Sequence, residues 1–244
     1  MNEAPRIAAV TGGSTGIGRA ICEELLARGY EVVSLALERP AFSHAKLHGI
    51  EVDLADRQAA GEAAKELGRR FEVTTLVHNA GVIRPASVAD VQLDDFSFLV
   101  ELHLASAVQL LQATLPAMRA RRFGRVVMMS SRAVVGVPGR TSYSATKAGL
   151  LGMARTWALE LAGEGITVNV VAPGPIRTTA MFHGVIPAGS EQERQLAASV
   201  PVKRLGEPAD VARAVAFFAD PANSYVTGQV LYVCGGTSVG TLTL

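Results

Sequence analysis

Residues 11–18 read Thr11-Gly12-Gly13-Ser14-Thr15-Gly16-Ile17-Gly18, and this glycine-rich segment decides the fold. A short apolar run, residues 6–10, comes before it, and a helical pattern of apolar residues follows it as far as Gly29. Glycines let the main chain turn tightly and approach a phosphate group, while the N-terminus of a helix offers N–H groups and a partial positive charge. A strand, a glycine loop and a helix in this order therefore predict a dinucleotide-binding site.

The alternation of apolar strands and helical stretches continues along the chain. Further strands are predicted at residues 30–37, 50–52, 73–77, 125–129, 166–171 and 225–233. Helices are predicted at residues 56–67, 94–118, 142–161 and 208–218. Strands separated by helices predict an α/β fold with a doubly wound parallel sheet of Rossmann type, whose ligand-binding loops gather at one edge. No repeat or linker divides the sequence, so residues 1–244 are expected to form a single domain.

Composition narrows the classes of function. The chain has 244 residues, of which 49% are hydrophobic, and its formal net charge is +1. This balance gives no field that would attract nucleic acid or an anionic membrane. The two cysteines, Cys22 and Cys234, lack the spacing of metal ligands or of a disulfide framework, which predicts no metal site and a reduced, cytoplasmic location. Because no signal-peptide pattern and no uninterrupted apolar run of membrane-spanning length is found, we expect no membrane partner.

A second informative segment reads Ser142-Tyr143-Ser144-Ala145-Thr146-Lys147, with Ser131 twelve positions before the tyrosine. On a helix, residues four apart project from one face, which would bring the Lys147 ammonium close to the Tyr143 phenol. A free tyrosine has a pKa of about 10, and an ammonium roughly 4 Å away would lower it by about three units. Tyr143 would then be a usable acid or base near neutral pH. Taken alone, the spacing also fits a surface tyrosine packed along a lysine stem.

The ends of the second and third predicted strands bear on the cofactor. The second ends in Ala36-Leu37-Glu38-Arg39. Ala36 offers no carboxylate to repel a 2′-phosphate, while Glu38 and Arg39 act in opposite directions, so the sequence leans only slightly towards NADP over NAD. Both charges could equally belong to a solvated loop. Asp53, at the end of the third strand, is expected to accept a hydrogen bond from the adenine amino group or, alternatively, to cap the following helix.

These motifs together resemble those of the short-chain dehydrogenase/reductase family, over nearly the whole chain. The matching pieces are the glycine loop, Asp53-Leu54, Asn79-Ala80-Gly81, Ser131, Tyr143 to Lys147, and Pro173-Gly174-Pro175-Ile176-x-Thr178. Each piece is modest alone, but their joint order and spacing are specific. The segment 226–236 is similar to the bacterial 3-oxoacyl-carrier-protein reductase-like branch of that family.

The resemblance implies an NAD(P)-dependent oxidoreductase that interconverts a small-molecule ketone and a secondary alcohol, with a 3-oxoacyl thioester as one candidate substrate. It implies that Tyr143 is the general acid or base, that Lys147 lowers its pKa and holds the nicotinamide ribose, and that Ser131 polarises the carbonyl. Ser130 is the weaker candidate for the serine that polarises the carbonyl. The implied cofactor contacts, besides Tyr143 and Lys147, are Gly12, Ser14, Thr15, Gly16, Ile17, Gly18, Leu37, Asp53, Leu54, Asn79, Ala80, Gly81, Pro173, Gly174, Ile176 and Thr178.

His103 departs from the family pattern, which usually has an asparagine here that holds a water of the proton relay to the lysine. In one interpretation the imidazole takes over the relay, because it can both donate and accept a proton. In the other, His103 is a buried histidine at a helix interface and the relay runs through other water. His103 is therefore a candidate catalytic residue with both interpretations open.

Several wider expectations accompany this assignment. Residues 179–200 are predicted to form a lid over the substrate. The resemblance implies a homotetramer or homodimer. Four loop arginines, Arg84, Arg132, Arg140 and Arg177, could meet an anionic part of the substrate or could simply be solvated.

Two other functions stay open, because a fold does not determine a function. The first is a non-catalytic protein that binds or senses a dinucleotide. The second is an epimerase or dehydratase that uses a bound nicotinamide transiently.

Overall fold

The computed structural model describes residues 6–177, 182 and 186–239. Within these residues, seven strands form one sheet in the order β3-β2-β1-β4-β5-β6-β7. They are β1 Ile7–Thr11, β2 Glu31–Ala36, β3 Leu47–Glu51, β4 Thr75–His78, β5 Gly124–Met129, β6 Ile166–Pro173 and β7 Val230–Val233. Every neighbouring pair is parallel, which confirms the expected Rossmann-type α/β fold.

The direction of winding reverses between β1 and β4. From β1 the chain builds outward through β2 and β3, and it then crosses back to place β4 on the other side of β1. In a doubly wound sheet, this reversal opens a crevice at the carboxyl ends of the two strands, where ligands bind. The glycine loop after β1 and the segment after β4 therefore both face this crevice.

Helices cover both faces of the sheet. The helices described are α1 Gly16–Ala27, α2 Arg57–Arg70, α3 Leu93–Val100, α4 Ser106–Arg121, α5 Thr141–Leu161, α6 Glu191–Ser199 and α7 Pro208–Ala219. One apolar core joins the sheet to α2, α4 and α5, and a second joins its other face to α1 and α7. Neighbouring residues of β5 supply both cores, Val126 to the first and Val127 to the second, because side chains alternate along a strand.

A π-helical turn interrupts the long helix predicted at residues 94–118. The turn, Glu101–Ala105, joins α3 to α4 and contains His103. Single π-turns inside α-helices are rare, and they often occur at functional sites. The interruption thus coincides with the one position at which the sequence departs from the family pattern.

Among the residues that the structure describes, the run Leu93–Arg121 is long and apolar enough to cross a membrane by length and composition. It has 29 residues, a mean hydropathy of 1.3 and 44% of its apolar window buried. Its second part, α4, packs against α2 and the sheet, and the buried apolar residues of α4 belong to the core shared with α2 and α5. This core position accounts for the apolar character of the run.

Most predicted strands differ from the observed ones by one to three residues at an end, and two segments near the carboxyl-terminal part of the chain differ more. The last strand begins at Val230 rather than at residue 225, because Gly228 has a φ of 70° that breaks the extended chain. In the predicted lid, residues 191–199 form helix α6, whose N-cap, Ser190, accepts the N–H of Glu193. Residues 179–181 and 183–185 of that segment lie outside the described residues.

Candidate active site

The loop between β1 and α1 fits an anionic ligand. Gly12 and Gly16 have φ values of 65° and 54°, and a Cβ on Gly18 would lie 1.9 Å from the carbonyl oxygen of Gly12. Within the described chain, no side chain caps the start of α1, and its first turn holds no acidic residue. By contrast, the Asp56 carboxylate caps α2. The uncapped N–H groups of α1 therefore suit the pyrophosphate of a dinucleotide.

Hydrogen bonds join this loop to the segment after β4. The Thr11 hydroxyl oxygen accepts the main-chain N–H groups of Asn79 and Ala80, each at 2.8 Å. In return, the Asn79 side-chain amide donates to the main-chain oxygen of Thr11 at 2.9 Å. Gly81 follows, and a Cβ there would lie 2.8 Å from His103 Nε2 and 3.0 Å from Lys147 Nζ. The predicted contacts at residues 12–18 and 79–81 are thus brought together at one edge of the sheet.

The contacts predicted after β2 and β3 lie at the margin of the crevice. Leu37 is 71% exposed. The Asp53 carboxylate accepts the N–H of Ala55 at 2.9 Å, and Asp56 is the residue that caps α2, so Asp53 does not serve as that cap. The Leu54 side chain is buried in the core, so only its main chain can face a ligand.

The segment after β6 packs against the end of β7. Pro173 is the last residue of β6, and the Gly174 N–H donates to the main-chain oxygen of Val233 at 3.0 Å. A Cβ on Gly174 would lie 2.8 Å from Cys234 Cα, which explains why a glycine is needed at this close approach. Ile176 is buried, and Thr178 lies outside the described residues.

The two candidate serines follow β5, and their hydroxyl groups differ in availability. Ser130 is buried and donates to the main-chain oxygen of Lys147 at 2.8 Å. Ser131 is half-buried, and its oxygen accepts the N–H of Ala133 at 3.1 Å. Since accepting this bond leaves the Ser131 proton free to donate, Ser131 is the serine suited to a substrate oxygen.

Burial dominates the electrostatics of Tyr143 and Lys147. Tyr143 is 7% exposed, and burial raises its pKa, while a hydrogen bond with Ser131 and the charge of Arg140 act in the opposite direction. Lys147 Nζ lies 5.8 Å from the centre of the Tyr143 ring and donates to the main-chain oxygen of Met129 at 2.8 Å. Burial lowers the pKa of Lys147 to about 7. In this arrangement burial outweighs the neighbouring hydrogen bond and charge, so the pKa of Tyr143 lies above its ordinary value rather than below it.

His103 lies beside this pair, and a second buried histidine supports it. Its ring packs edge-on against the Tyr143 ring, with the centres 5.8 Å apart, and its Nδ1 lies 2.9 Å from the Thr146 hydroxyl. His78, the last residue of β4, places Nε2 at 3.1 Å from the main-chain oxygen of His103. Burial lowers the pKa of both imidazoles, that of His78 to about 3. Both histidines are therefore neutral at physiological pH.

The four loop arginines fall into two groups. Arg84 pairs with Asp95 at 3.6 Å, and Arg177 donates to Glu207 at 3.0 Å. Arg132 donates to the main-chain oxygen of Thr237 at 3.3 Å, and Arg140 to that of Gly139 at 3.2 Å. Arg132 and Arg140 have no acidic partner among the described residues, and both lie in the segment that joins Ser131 to Tyr143.

Comparison with known proteins agrees with this geometry. A family model described as enoyl-(acyl carrier protein) reductase matches residues 12–238. The 3-oxoacyl-[acyl-carrier-protein] reductase FabG of Salmonella typhimurium is 37% identical over 239 residues, which cover 95% of this chain and 96% of the relative. The chain belongs to the short-chain dehydrogenase/reductase family. It is accordingly an NAD(P)-dependent oxidoreductase of that family.

Solved structures of similar proteins show the same fold. A Beutenbergia cavernae protein, provisionally named an NAD(P)-dependent gluconate 5-dehydrogenase, has NADP bound at low occupancy. It is 34% identical with a TM-score of 0.88, and the match covers 97% of this chain and 98% of that one. A blue fluorescent protein from a metagenomic library, in complex with NADPH, is 33% identical with a TM-score of 0.83, and the match covers 97% and 99%.

Sequence reasoning missed three residues that surround the candidate short-chain dehydrogenase/reductase site. These are His78, Thr11 and Thr146, all buried and all hydrogen-bonded to site residues. The available signal was that Thr11 and Thr146 lie inside motifs already singled out and that His78 directly precedes a third. Their partners lie far along the chain, however, and no local pattern reports such pairing.

Proposed function

We propose that Ser131, Tyr143 and Lys147 carry out the interconversion of a ketone and a secondary alcohol, with a 3-oxoacyl thioester as the substrate. The supporting observation is that Tyr143 and Lys147 lie one turn apart on α5 and that Lys147 donates to the main-chain oxygen of Met129, two residues before Ser131, at 2.8 Å. In the direction of reduction, Ser131 donates a hydrogen bond to the carbonyl oxygen and Tyr143 supplies the proton to it. A bound nicotinamide dinucleotide supplies or accepts the hydride.

The chain's own residues have the remaining tasks. Lys147 would hold a ribose hydroxyl of the cofactor, and the burial of Tyr143 keeps water from competing for its proton. The segments at residues 12–18, 79–81 and 173–178 would form the cofactor's walls. The relationship to the Salmonella typhimurium reductase supports a 3-oxoacyl thioester as the substrate.

The NADP preference is supported by the end of β2 and by the ligands of the relatives. Ala36, the last residue of β2, provides no carboxylate that would repel a 2′-phosphate. Both structural neighbours described above contain NADP or NADPH. Titration of the purified protein with NADPH and NADH separately should show the tighter binding with NADPH. A strong preference for NADH would remove this part of the proposal.

The decisive experiment replaces Tyr143 with phenylalanine. Tyr143→Phe removes the acid but keeps the ring, so we expect turnover of 3-oxoacyl thioesters to fall at least about 100-fold while dinucleotide binding is unchanged. If wild-type protein binds dinucleotide but reduces no ketone in a broad screen, the sensor alternative stands instead. Substrate loss without a net change in nicotinamide absorbance would indicate the epimerase or dehydratase alternative.

The remaining proposals concern location, assembly and the lid. We infer a cytoplasmic location from the cysteine usage. We also infer a homotetramer or homodimer, which is supported by exposed apolar side chains on α5 and around β7, among them Leu159 and Leu231. Light scattering of the purified protein would test the assembly. Residues 1–244 are proposed to form one domain, on which residues 179–200 form a lid over the substrate. If they do, bound substrate should protect that segment from cleavage by a protease.

A further inference from the structure

A chain of buried hydrogen bonds determines the tautomer of His78. The Thr11 hydroxyl oxygen accepts two main-chain N–H groups at 2.8 Å, so its own proton is left for His78 Nδ1, which lies 3.3 Å away. His78 Nδ1 is therefore an acceptor, and the proton of the neutral ring is on Nε2. That Nε2–H donates to the main-chain oxygen of His103 at 3.1 Å. His78 thus connects the loop after β1 to the π-helical turn.

A second set of bonds determines the tautomer of His103. The Thr146 hydroxyl lies 3.0 Å from the main-chain oxygen of Ser142, one helical turn earlier, and donates to it. Its oxygen must then accept the Nδ1–H of His103 at 2.9 Å. This places a lone pair on His103 Nε2, which is buried and has no hydrogen-bond partner among the described residues.

The unpartnered Nε2 faces Lys147. A single point, where a Cβ of Gly81 would be, lies 2.8 Å from His103 Nε2 and 3.0 Å from Lys147 Nζ. A lone pair at this place attracts the ammonium, whereas an N–H would repel it. The charged and titratable groups facing His103 are Lys147, His78 and the Tyr143 phenol, and the first two lower its pKa together with burial. The proximity of the Lys147 ammonium therefore favours the same tautomer as the bond to Thr146.

Building on the ketone reductase function proposed above, we propose that His103 Nε2 is a fixed acceptor for the Lys147 ammonium, directly or through one water, and that His78 is its positioning residue. The imidazole does not carry the proton itself, because its other nitrogen donates to Thr146, whose hydroxyl ends on a main-chain oxygen. His103 thus holds Lys147 in place while Tyr143 exchanges its proton with substrate. This differs from the first sequence interpretation, in which the imidazole both donates and accepts.

Nitrogen NMR of the purified protein tests the assignment without any turnover. Spectra of 15N-labelled imidazoles should show His103 protonated on Nδ1 and His78 on Nε2. Both should stay neutral across the range from about pH 5 to 8, in which a free histidine titrates. A His103 ring protonated on Nε2, or one that becomes cationic in this range, would overturn the proposal. This outcome is independent of whether the substrate class is correct.

Substitutions at His103 separate an acceptor from a packing residue. His103→Gln keeps an oxygen near the position of Nε2, whereas His103→Leu fills the space without an acceptor. We expect His103→Leu to lower kcat about 10- to 100-fold, and His103→Gln to restore most of the loss. Equal kcat values for the two variants, both lower than that of the wild type, would mean that His103 only packs. A His103→Leu kcat equal to that of the wild type would also refute the proposal.

Thr146 offers a matched comparison with Thr114. Both hydroxyls are buried and donate one helical turn back, but only Thr146 also contacts an imidazole. In Thr146→Val the NMR spectrum should show a mixture of the two His103 tautomers, and kcat should fall. Thr114→Val should leave the His103 spectrum and kcat unchanged. Unchanged His103 spectra in Thr146→Val would contradict the proposal. If the wild type reduced no ketone at all, the proposed function would fail while the NMR result still decided the tautomer.

Discussion

Lys147 and Arg140 show how single residues set the chemistry of the candidate site. Burial lowers the pKa of Lys147 to about 7, so the charge of this side chain responds to pH much closer to neutrality than that of an exposed lysine. Arg140 has no acidic partner among the described residues, and its charge lowers the pKa of Tyr143. Lys147 and Arg140 are both near Tyr143 in the sequence. The spacing of these residues along the chain, however, predicts neither the size nor the direction of the pKa shifts.

Lys147 should make the stability of the protein depend on pH. Its pKa is about 7 in the folded protein and about 10.4 in the unfolded chain, so between these values the unfolded chain binds more protons. The free energy of unfolding should therefore rise with pH in this window, by up to about 1.4 kcal/mol per unit from this group.

Urea denaturation of the wild type and of Lys147→Met, from about pH 7 to 9, measures this contribution. The difference in unfolding free energy, wild type minus variant, should increase with pH. Cys22, whose pKa burial raises to about 12, is present in both proteins and cancels. A difference that stays constant or shrinks with pH would show that the pKa of Lys147 is not lowered in the folded protein.

Arg140 should tune the pH dependence of the reaction. Removing its charge in Arg140→Gln should raise the pKa of Tyr143, because the remaining burial effect is less opposed. The pH profile of alcohol oxidation should then shift upward by up to about one unit. Arg84→Gln is the control, since Arg84 pairs with Asp95 and should leave the profile in place. An unshifted Arg140→Gln profile would show that another group sets the Tyr143 pKa.

The elements that form the site differ in how strictly their sequences are constrained. The first turn of α1 must contain Gly18, because any side chain there meets the main chain of the preceding loop. The π-helical turn Glu101–Ala105 and helix α6 carry no comparable signature, and sequence patterns predicted neither. Their geometry depends on the elements against which they pack rather than on an unusual residue.

Gly18→Ala should disrupt the start of α1. Its Cβ would lie 1.9 Å from the Gly12 carbonyl oxygen, so the loop must move away from its observed path. We expect dinucleotide affinity, measured by fluorescence titration, to weaken at least about tenfold, because the anion-binding N–H groups shift.

Gly152→Ala provides the matched control within α5. Nothing lies within 4 Å of the added Cβ there, and alanine favours a helix over glycine by about 1 kcal/mol. This variant should be at least as stable as the wild type and should bind dinucleotide equally well. Unchanged affinity in Gly18→Ala would contradict the assignment of this loop as the phosphate site.

At the scale of the whole molecule, the buried side chain of Arg125 stabilises the end of the sheet that lies opposite the crevice. Arg125 is the second residue of β5, and it is 2% exposed. Its guanidinium donates to the main-chain oxygens of Gly124 at 2.9 Å and Pro221 at 3.1 Å, and its charged carbon lies 4.4 Å from the centre of the Phe123 ring. These contacts tie β5 to the chain that follows α7.

Arg125→Met should destabilise the fold without touching the crevice. It removes the guanidinium donor of the buried Gly124 carbonyl oxygen, and the loss of a hydrogen bond to a buried acceptor costs about 1–3 kcal/mol of unfolding free energy. Activity per folded molecule should stay unchanged, as measured by kinetics alongside chemical denaturation. Arg19→Met, which removes an exposed ion pair with Glu23, should cost less than about 1 kcal/mol. Equal losses in the two variants would show that the buried contacts contribute little.

The sequence by itself determined the architecture and the identity of the main candidate residues. The glycine loop, the alternation of strands and helices, and the Tyr143 to Lys147 spacing are local patterns, each readable within one short segment. They placed Ser131, Tyr143 and Lys147 on elements whose ends meet in a doubly wound sheet.

Only the tertiary structure decided how these groups are charged and which of their neighbours support them. Desolvation depends on what packs around a side chain, so the raised pKa of Tyr143 and the lowered pKa of Lys147 could not follow from helix spacing. The adjacency of β1 and β4 brings Thr11 to His78, and the π-helical turn brings His103 to both His78 and Thr146. Hydrogen bonds between residues so far apart in the chain exist only once the sheet and its helices have assembled.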